Sequence, residues 1–407
     1  MGPLHGIKVL DLSRILAGPW ATQCLADFGA TVWKIEKPGS GDDTRHWGPP
    51  WVRNKKGKDT AEAAYFASTN RGKHSLAIDF TKPAGQQIVR SLALRADVLI
   101  ENFKVGTLAK YRLGYESIKG VNPRLVYCTI SAFGQDGPAA NEPGYDAMIQ
   151  AISGLMSVTG VPDGQPGAGP VKVGVAVSDL ITGMYAACAI LAALHEREDS
   201  GRGEYIDLAL LDTQVAALAN QTLNYLVSGK APGRRGTAHP NIVPYQAFPT
   251  KDAWLMLAVG NDKQYQAFCT AAVAAALAKD KRFQTNAGRV EHRAALIPEI
   301  EKLCRKRTTK EWVETLTRAN VPCGPINSIA EVFEDPQVKH RKLRFDLSHA
   351  LGGQLPQVRN PVLFSRNTLD YSMPPPLLGA HTREVLSAEL GLTDAEILSL
   401  ETDGTIV

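Results

Sequence analysis

Residues 8–36 read KVLDLSRILAGPWATQCLADFGATVWKIE, and their pattern indicates the fold class. Residues 8–12 and 31–36 are short apolar-rich runs typical of buried strands. Residues 20–28, between them, carry a helical pattern. A strand, a helix and a second strand in this order favour two parallel strands joined by a crossover helix.

The same alternation continues along the chain. A helical pattern runs from Pro83 to Ala96, and further strand patterns lie at 75–80, 98–102, 124–130 and 205–210. The sequence therefore predicts an α/β fold with a doubly wound, Rossmann-like parallel sheet. Ligands of such sheets bind beyond the carboxyl ends of the strands. The turn at 13–19 lacks the glycine-rich dinucleotide fingerprint, so we do not expect a nicotinamide cofactor.

Composition narrows the class of protein. The 407 residues are 44% apolar and 21% charged, as in an ordinary globular protein large enough for two domains. The net charge of +4, without a dense Lys/Arg run, predicts no nucleic-acid or membrane partner but suits an anionic small molecule. We find no apolar run of about 18 residues that could span a bilayer. The six cysteines form no CxxC pair and no metal-ligand spacing, so we expect reduced thiols and no metal.

A change in composition marks a domain boundary. Residues 229–236, GKAPGRRG, are rich in Gly, Pro and Arg and are typical of a linker. We predict a large α/β domain at 1–225, a linker at 226–236 and a smaller α+β domain at 237–330. The last segment, 331–407, is expected to return to the large domain.

Asp179 is the candidate catalytic residue. It begins a long apolar helical stretch, 180–194, that carries no other charge. One interpretation is a helix cap, because Ser and Asp side chains accept free N–H groups at helix starts. The other is a carboxylate held ionised by the N–H groups and dipole of the helix end, kept from bulk water and free to act as a nucleophile.

The sequence resembles the class III CoA-transferases, the family of formyl-CoA transferase and the carnitine CoA-transferases. The resemblance covers nearly the whole chain, and the order of its motifs makes it specific. The motifs are Leu4–Asp11 with Ala17-Gly18-Pro19, Val32–Glu36 with Gly39–Asp42, Ala96–Phe103, Gly144-Tyr145-Asp146 with Ser153–Met156, Gly201-Arg202-Gly203, Pro322–Ile326 and Pro375–Thr382.

Within this family the chain is most similar to the branch that acts on dicarboxylates, which includes succinyl-CoA:glutarate and itaconate CoA-transferases. That likeness is carried by Gly41–Arg45 with Trp47–Pro50, and by Arg235–His239 with Ile242–Phe248. It implies transfer of CoA from an acyl-CoA, such as succinyl-CoA, to a dicarboxylic acid. The chemistry would pass through an aspartyl anhydride and an aspartyl-CoA thioester on Asp179.

The resemblance also implies the binding residues. Coenzyme A, a substrate here, would contact Leu16, Ala17, Lys37, Ile78, Asp79, Phe80, Asn102, Phe103, Lys110, Ser131, Phe133 and Gly134. The substrate acids would contact Arg45, Arg71, Lys73, Tyr145 and His239, with Gly260 and Asn261 as candidate oxyanion donors.

Two other functions share much of this pattern. An α-methylacyl-CoA racemase has the same fold but carries His where this chain has Tyr145, and a tyrosine is a poor base at neutral pH. A CoA-binding protein without activity is the second alternative, which the presence of Asp179 disfavours. The family further implies an interlocked, ring-type homodimer. Its nearest branch implies a mitochondrial location in a eukaryote and a cytoplasmic one otherwise, although no transit peptide is visible.

Overall fold

The computed structural model describes residues 2–369 and 371–407, and the chain divides into two compact units. The first unit runs to Met156 and also contains Lys172–Lys230 and Lys339–Val407. The second contains Ser157–Val171 and Ala231–Val338. These bounds differ from the predicted ones mainly at Ser157–Val171, a short segment that the prediction places in the large domain.

The first unit is built on a six-stranded parallel sheet in the order β6-β5-β4-β1-β2-β3. Its strands are β1 (Lys8–Asp11), β2 (Thr31–Glu36), β3 (Lys73–Ala77), β4 (Val98–Glu101), β5 (Val126–Ser131) and β6 (Tyr205–Ala209). This confirms the predicted parallel α/β sheet. The third strand lies a few residues earlier than its pattern indicated.

Alternate residues of the strands pack against helices on both faces of the sheet, which is why the strand sequences are apolar throughout. Val9 and Val32 face the core formed with helix α1 (Ala17–Asp27). Leu10 and Trp33 face the opposite core, which includes the helix Pro83–Ala93. The sheet is therefore doubly wound, and its carboxyl edge carries the loops that follow β1, β4 and β5.

Two further helices position the candidate nucleophile: α2 (Asp146–Ile152) and α3 (Val177–Ser200). By length and composition, α3 could cross a membrane. The prediction that the chain contains no apolar run long enough to span a bilayer was therefore wrong by those criteria. Ala186, Ala187 and Ile190 of α3 are nonetheless buried in the core that covers the sheet. We therefore interpret α3 as the core helix of a globular unit.

The C-terminal part of the chain belongs to the first unit and packs against the edge strand β3. The N–H of His381 donates to the carbonyl of Ser75, and Ile406 forms an antiparallel bridge with Ile78. Leu386 is fully buried in the same core as Leu10 and Trp33. The elements of this part are Arg344–Ser348, which pairs with Gln354–Val358, and the helices Thr382–Leu390 and Asp394–Thr402.

The second unit is built on a three-stranded antiparallel sheet covered by helices. Its strands are Tyr245–Pro249, Trp254–Ala258 and Cys323–Pro325, and a short hairpin pairs Gly160–Val161 with Gly169–Pro170. Its helices are Asp262–Ala271, Ala275–Lys279, Asn286–Glu291, Arg293–Cys304, Thr309–Arg318 and Ile329–Glu334, with a 3-10 turn at Lys281–Phe283.

Short elements complete the chain. A hairpin joins Trp51–Arg53 to Asp59–Ala63, and a 3-10 turn spans Asp43–His46. The remaining helices are Ala64–Ala67, Thr107–Lys110, Tyr115–Lys119, Leu155–Val158, Leu210–Ala217, Asn220–Ser228 and Pro336–His340.

Leu386→Ala tests the attachment of the C-terminal helices to the sheet. We expect a loss of about 2–5 kcal/mol in the free energy of unfolding, because the substitution opens a cavity in a closed core. Leu398 is 58% exposed on the neighbouring helix, so Leu398→Ala is the matched control and should change stability by less than about 0.5 kcal/mol. Urea unfolding measures both values, and equal losses in the two variants would contradict the packing described here.

Candidate active site

A cavity of about 190 Å³ lies at the carboxyl edge of the parallel sheet and contains Asp179. The turn after β1, the loop after β4 and the loop after β5 form its walls. The predicted residues that line it are Leu16, Ala17, Asn102, Phe103, Ser131, Tyr145 and Asp179. Strands distant in sequence thus bring these residues to one crevice, as expected for an open parallel sheet.

Asp179 does not cap its own helix. The cap is Asp146, at the start of α2, whose Oδ1 accepts the N–H groups of Ser178 at 2.8 Å and of Asp179 at 3.3 Å. No side chain of α3 itself caps its start. The capping interpretation of Asp179 was therefore wrong, because a carboxylate from another helix takes that position.

The capping carboxylate is itself held in place. Gln150, one turn further along α2, donates from Nε2 to Asp146 Oδ2 at 2.6 Å and accepts the N–H of Val173 at 2.9 Å. Ser178 Oγ donates to Gln214 Oε1 at 2.8 Å. These bonds fix the first turn of α3, and therefore the backbone that carries Asp179.

The carboxylate of Asp179 accepts no hydrogen bond from residues 2–369 or 371–407. Burial, and secondarily the negative charge of Asp146, raises the pKa of Asp179 to about 7. We had expected the N–H groups of the helix to keep this carboxylate ionised. The pKa of Asp179 is instead raised, because the carboxyl group is buried, Asp146 occupies those donors, and Asp146 adds a like charge.

Two tyrosines lie near the candidate nucleophile. Tyr145 lines the cavity and is 69% exposed. Burial, followed by the charge of Asp179, raises the pKa of Tyr65, whose ring meets Trp47 edge-on at 5.2 Å. Tyr65 was missed in the sequence because it lies far from Asp179 in the chain and within no recognised motif.

Several predicted CoA residues are near the cavity without lining it. Phe80 packs edge-on against Phe103, with ring centroids 5.6 Å apart. Gly134 donates its N–H to Ser131 Oγ at 2.8 Å, which shapes the loop that includes Phe133.

Four other predicted CoA residues have different surroundings. Ile78 is 1% exposed in the core, so its side chain is not available to a ligand and that prediction is corrected. Asp79 accepts the N–H and hydroxyl of Thr81. Lys37 and Lys110 are exposed and do not line the cavity.

Arg45, a predicted substrate residue, is a buried structural cation. Its guanidinium forms ion pairs with Glu36 at 2.7 Å and Glu62 at 2.9 Å. It also lies 3.6 Å from the ring centroid of Phe66. Because only 3% of Arg45 is exposed, its prediction as a substrate ligand is corrected.

Arg71 and Lys73 are likewise committed to buried carboxylates. Arg71 pairs with Asp27 at 2.6 Å, and Lys73 pairs with Asp11 at 3.2 Å. Burial lowers the pKa of Lys73 to about 8, and Lys73 is completely buried. Neither cation lines the cavity of Asp179, so both substrate predictions are corrected.

The candidate oxyanion donors lie in the second unit and have internal partners. The Gly260 N–H donates to Gln264 Oε1 at 2.8 Å. The Asn261 side chain caps the helix Asp262–Ala271 by accepting the Gln264 N–H at 2.9 Å. The Gly260 N–H is therefore not a free donor, and that prediction is corrected.

His239 also lies in the second unit and supports a turn. Its Nδ1 accepts the N–H of Asn241 at 3.1 Å, and its ring packs against Tyr245 with centroids 5.3 Å apart. Its role toward a substrate stays a prediction.

Two cations on the cavity wall were missed in the sequence, Arg14 and Lys104. The guanidinium of Arg14 lies 5.1 Å from the ring centroid of Phe103 and pairs with Asp43 at 3.3 Å. The signal was available, because Arg14 stands in the turn directly after β1, where ligands of parallel sheets bind. No group of three or more His, Cys, Asp or Glu side chains that could hold a metal occurs among the described residues.

Comparison with known proteins finds relatives along nearly the whole chain. The sequence profile of CoA-transferase family III matches residues 4–382. The chain is 50% identical to the succinate–glutarate CoA-transferase of Agrobacterium fabrum, over 95% of each chain. It is 41% identical to succinyl-CoA:glutarate CoA-transferase of Homo sapiens, over 99% of this chain and 90% of that protein. The crystal structure of a CAIB/BAIF family protein from Brucella suis superposes with a TM-score of 0.83 at 45% identity, covering 95% of this chain and 99% of that one.

Asp179→Asn should change how stability depends on pH. The folded-state pKa of Asp179 is about 7, above the unfolded value, so the folded protein binds more protons and loses stability as pH rises from about 4 to about 7. The variant lacks this loss of stability. The Tm of the variant minus the Tm of the native protein should therefore be larger at pH 8 than at pH 5.

Asp199→Asn, at the exposed far end of the same helix, is the control and should shift Tm equally at both pH values. A pH-independent Tm difference for Asp179→Asn would contradict the raised pKa.

Proposed function

Because this chain belongs to CoA-transferase family III, we propose that it moves CoA from succinyl-CoA to a dicarboxylic acid such as glutarate or itaconate. One observation supports this most directly: the Asp179 carboxylate stands in a cavity at the carboxyl edge of the sheet without a hydrogen-bond partner among the described residues. A purely structural carboxylate of this kind would be expected to have donors. The names of the relatives support the choice of acids.

The proposed reaction is acyl exchange by covalent catalysis. An Asp179 oxygen attacks the thioester carbonyl, the C–S bond breaks, and an aspartyl–succinyl anhydride and CoA thiolate form. The thiolate attacks the aspartyl carbonyl of the anhydride, which releases succinate and leaves CoA as a thioester on Asp179. The acceptor carboxylate then attacks that thioester, and the released thiolate attacks the acceptor carbonyl of the new anhydride. This gives the new acyl-CoA and restores the aspartate.

The electrostatics of Asp179 suit this sequence. A pKa of about 7 leaves a large ionised fraction at neutral pH, and only the ionised form attacks. A carboxylate that is partly buried and free of hydrogen bonds has lost part of the solvation that would otherwise weaken it as a nucleophile. Water has to be kept from the anhydride intermediate, because it would hydrolyse it.

Arg14 and Lys104 replace the buried cations as the proposed partners of the anionic substrate groups. Both line the cavity and are exposed, and the ion pair of Arg14 with Asp43 is exposed too. Arg45, Arg71 and Lys73 are buried in their ion pairs with carboxylates. Arg14 is well placed because a planar guanidinium binds carboxylate and phosphate oxygens in pairs.

The test is a transfer assay with succinyl-CoA and a panel of acids. We expect transfer to glutarate or itaconate, with a loss of about 10³-fold or more in Asp179→Asn, which keeps the shape of the side chain but removes the nucleophile. Mass spectrometry after acid quenching should find CoA attached to Asp179 in the native protein and not in the variant. Asp199→Asn should transfer at the native rate.

The other outcomes separate the alternatives. Transfer only to monocarboxylates would keep the nucleophile and overturn the dicarboxylate assignment. Exchange of the α-proton of a branched acyl-CoA in deuterated water, without transfer, would mean a racemase. Binding of CoA with neither reaction would mean a CoA-binding protein without activity.

We further propose that the protein is a homodimer, with the interlocked form that the family resemblance implies. An apolar cavity of about 1110 Å³ in the first unit is lined by Trp20, Met184 and Cys188, among others. Leu226 and Val227 are 66% and 83% exposed. Apolar surface of this kind is typical of an interface between subunits.

Sedimentation equilibrium tests the homodimer. One chain has a mass of 43.9 kDa, so we expect about twice that value at micromolar concentration. A mass of one chain at every concentration would overturn this proposal without affecting the assignment of Asp179.

A further inference from the structure

The turn between β1 and α1 contains a strained residue. Ile15 adopts φ = +71°, in the left-handed region. That conformation is costly for a β-branched side chain and persists only when surrounding structure holds it. Ile15, together with the neighbouring Leu16 and Ala17, lines the cavity that contains Asp179.

A buried ion pair holds this residue. The two carboxylate oxygens of Asp42 lie 3.2 and 3.3 Å from the N–H nitrogen of Ile15. Asp42 Oδ2 in turn lies 2.9 Å from the Nζ of Lys34, and both side chains are 0% exposed. The same Lys34 ammonium donates to the carbonyl of Ser13 at 2.9 Å. One pair of charges thus binds the backbone on both sides of Arg14.

Asn102 holds Arg14 itself, by a reciprocal pair of bonds. Its Oδ1 accepts the Arg14 N–H at 2.8 Å, and its Nδ2 donates to the Arg14 carbonyl at 2.7 Å. The backbone from Ser13 to Ile15 is therefore fixed by side chains from β2, from the loop after β2 and from the loop after β4. Such a large number of constraints is what a strained conformation requires.

We propose that Lys34 and Asp42 are a positioning pair for the proposed transfer reaction: they keep Ile15 left-handed, so that Leu16 and Ala17 form the wall against which the acyl-CoA binds. A buried ion pair is weak evidence for stability, because removing two charges from water offsets much of their attraction. The pair instead fixes the direction in which the backbone leaves β1. The inference rests on the proposed function only for the identity of the ligand.

Asp42→Ala removes the acceptor and should free the turn. We expect the KM for succinyl-CoA to rise by about tenfold or more, the size of a lost charge-assisted hydrogen bond, with a much smaller change in kcat. Amide exchange in a peptide spanning residues 13–17 should also become about tenfold faster. This second measurement needs no substrate.

Ile15→Gly in the Asp42→Ala background distinguishes positioning from general stability. Glycine adopts positive φ without the steric cost. In the double variant, KM should therefore return most of the way to the native value, while Tm stays low. Arg197→Met is the control, because it breaks the ion pair of the buried Arg197 with the partly exposed Asp97, which precedes β4 at the amino edge of the sheet. It should lower Tm and leave KM unchanged.

Three results would overturn the inference: a KM within twofold of the native value in Asp42→Ala, an equal rise of KM in Arg197→Met, or no recovery in the double variant. If Asp42→Ala does not fold, the double variant Lys34→Met/Asp42→Asn replaces it. This variant leaves no unpaired buried charge and keeps a weaker acceptor at position 42 for the Ile15 N–H. It should raise KM by about threefold or more, and an unchanged KM would overturn the inference. A native protein that neither transfers nor binds CoA would count against the proposed function, and the exchange measurement alone would then decide the inference.

Discussion

The hydrogen bonds from the N–H groups of Ser178 and Asp179 to the carboxylate of Asp146 determine the character of the site. They satisfy the free donors at the start of the long helix α3 from outside that helix. Among the described residues, Asp179 is therefore left without a hydrogen-bond donor to its carboxylate and with a negatively charged neighbour. Burial raises the pKa of Asp179, and the charge of Asp146 adds to this effect.

The cations discussed in the first unit fall into two groups, those buried in ion pairs and those on the cavity wall. Arg45, Arg71, Lys73 and Lys34 are almost or completely buried, and each pairs with a carboxylate. They tie the sheet to its loops and to the C-terminal segment. The cations on the cavity wall, Arg14 and Lys104, are a different set. The position of a cation in a sequence motif thus does not show whether its charge is available to a ligand.

The parallel sheet was predictable because its strands are covered on both faces, which makes each one a short apolar run between helical patterns. Asp179 was predictable as a site because its charge begins an otherwise apolar helix. The corrected cations share one property: each has a partner that is distant in sequence. Arg45 meets the carbonyl of Pro376, Arg71 meets that of Val358, and Asp146 reaches Asp179 across 33 positions. Periodicity and motif spacing contain no information about such partners.

The parallel α/β sheet, the family and the candidate nucleophile could be inferred from the amino-acid sequence, because local apolar patterns and ordered motifs encode them. The carboxylate that caps α3, the cations that are buried in ion pairs and the residues that form the cavity wall became known from the three-dimensional structure alone. The physical reason is that burial and pairing depend on which side chains meet in space. A buried carboxylate or ammonium takes its pKa and its role from those neighbours rather than from its place in the chain.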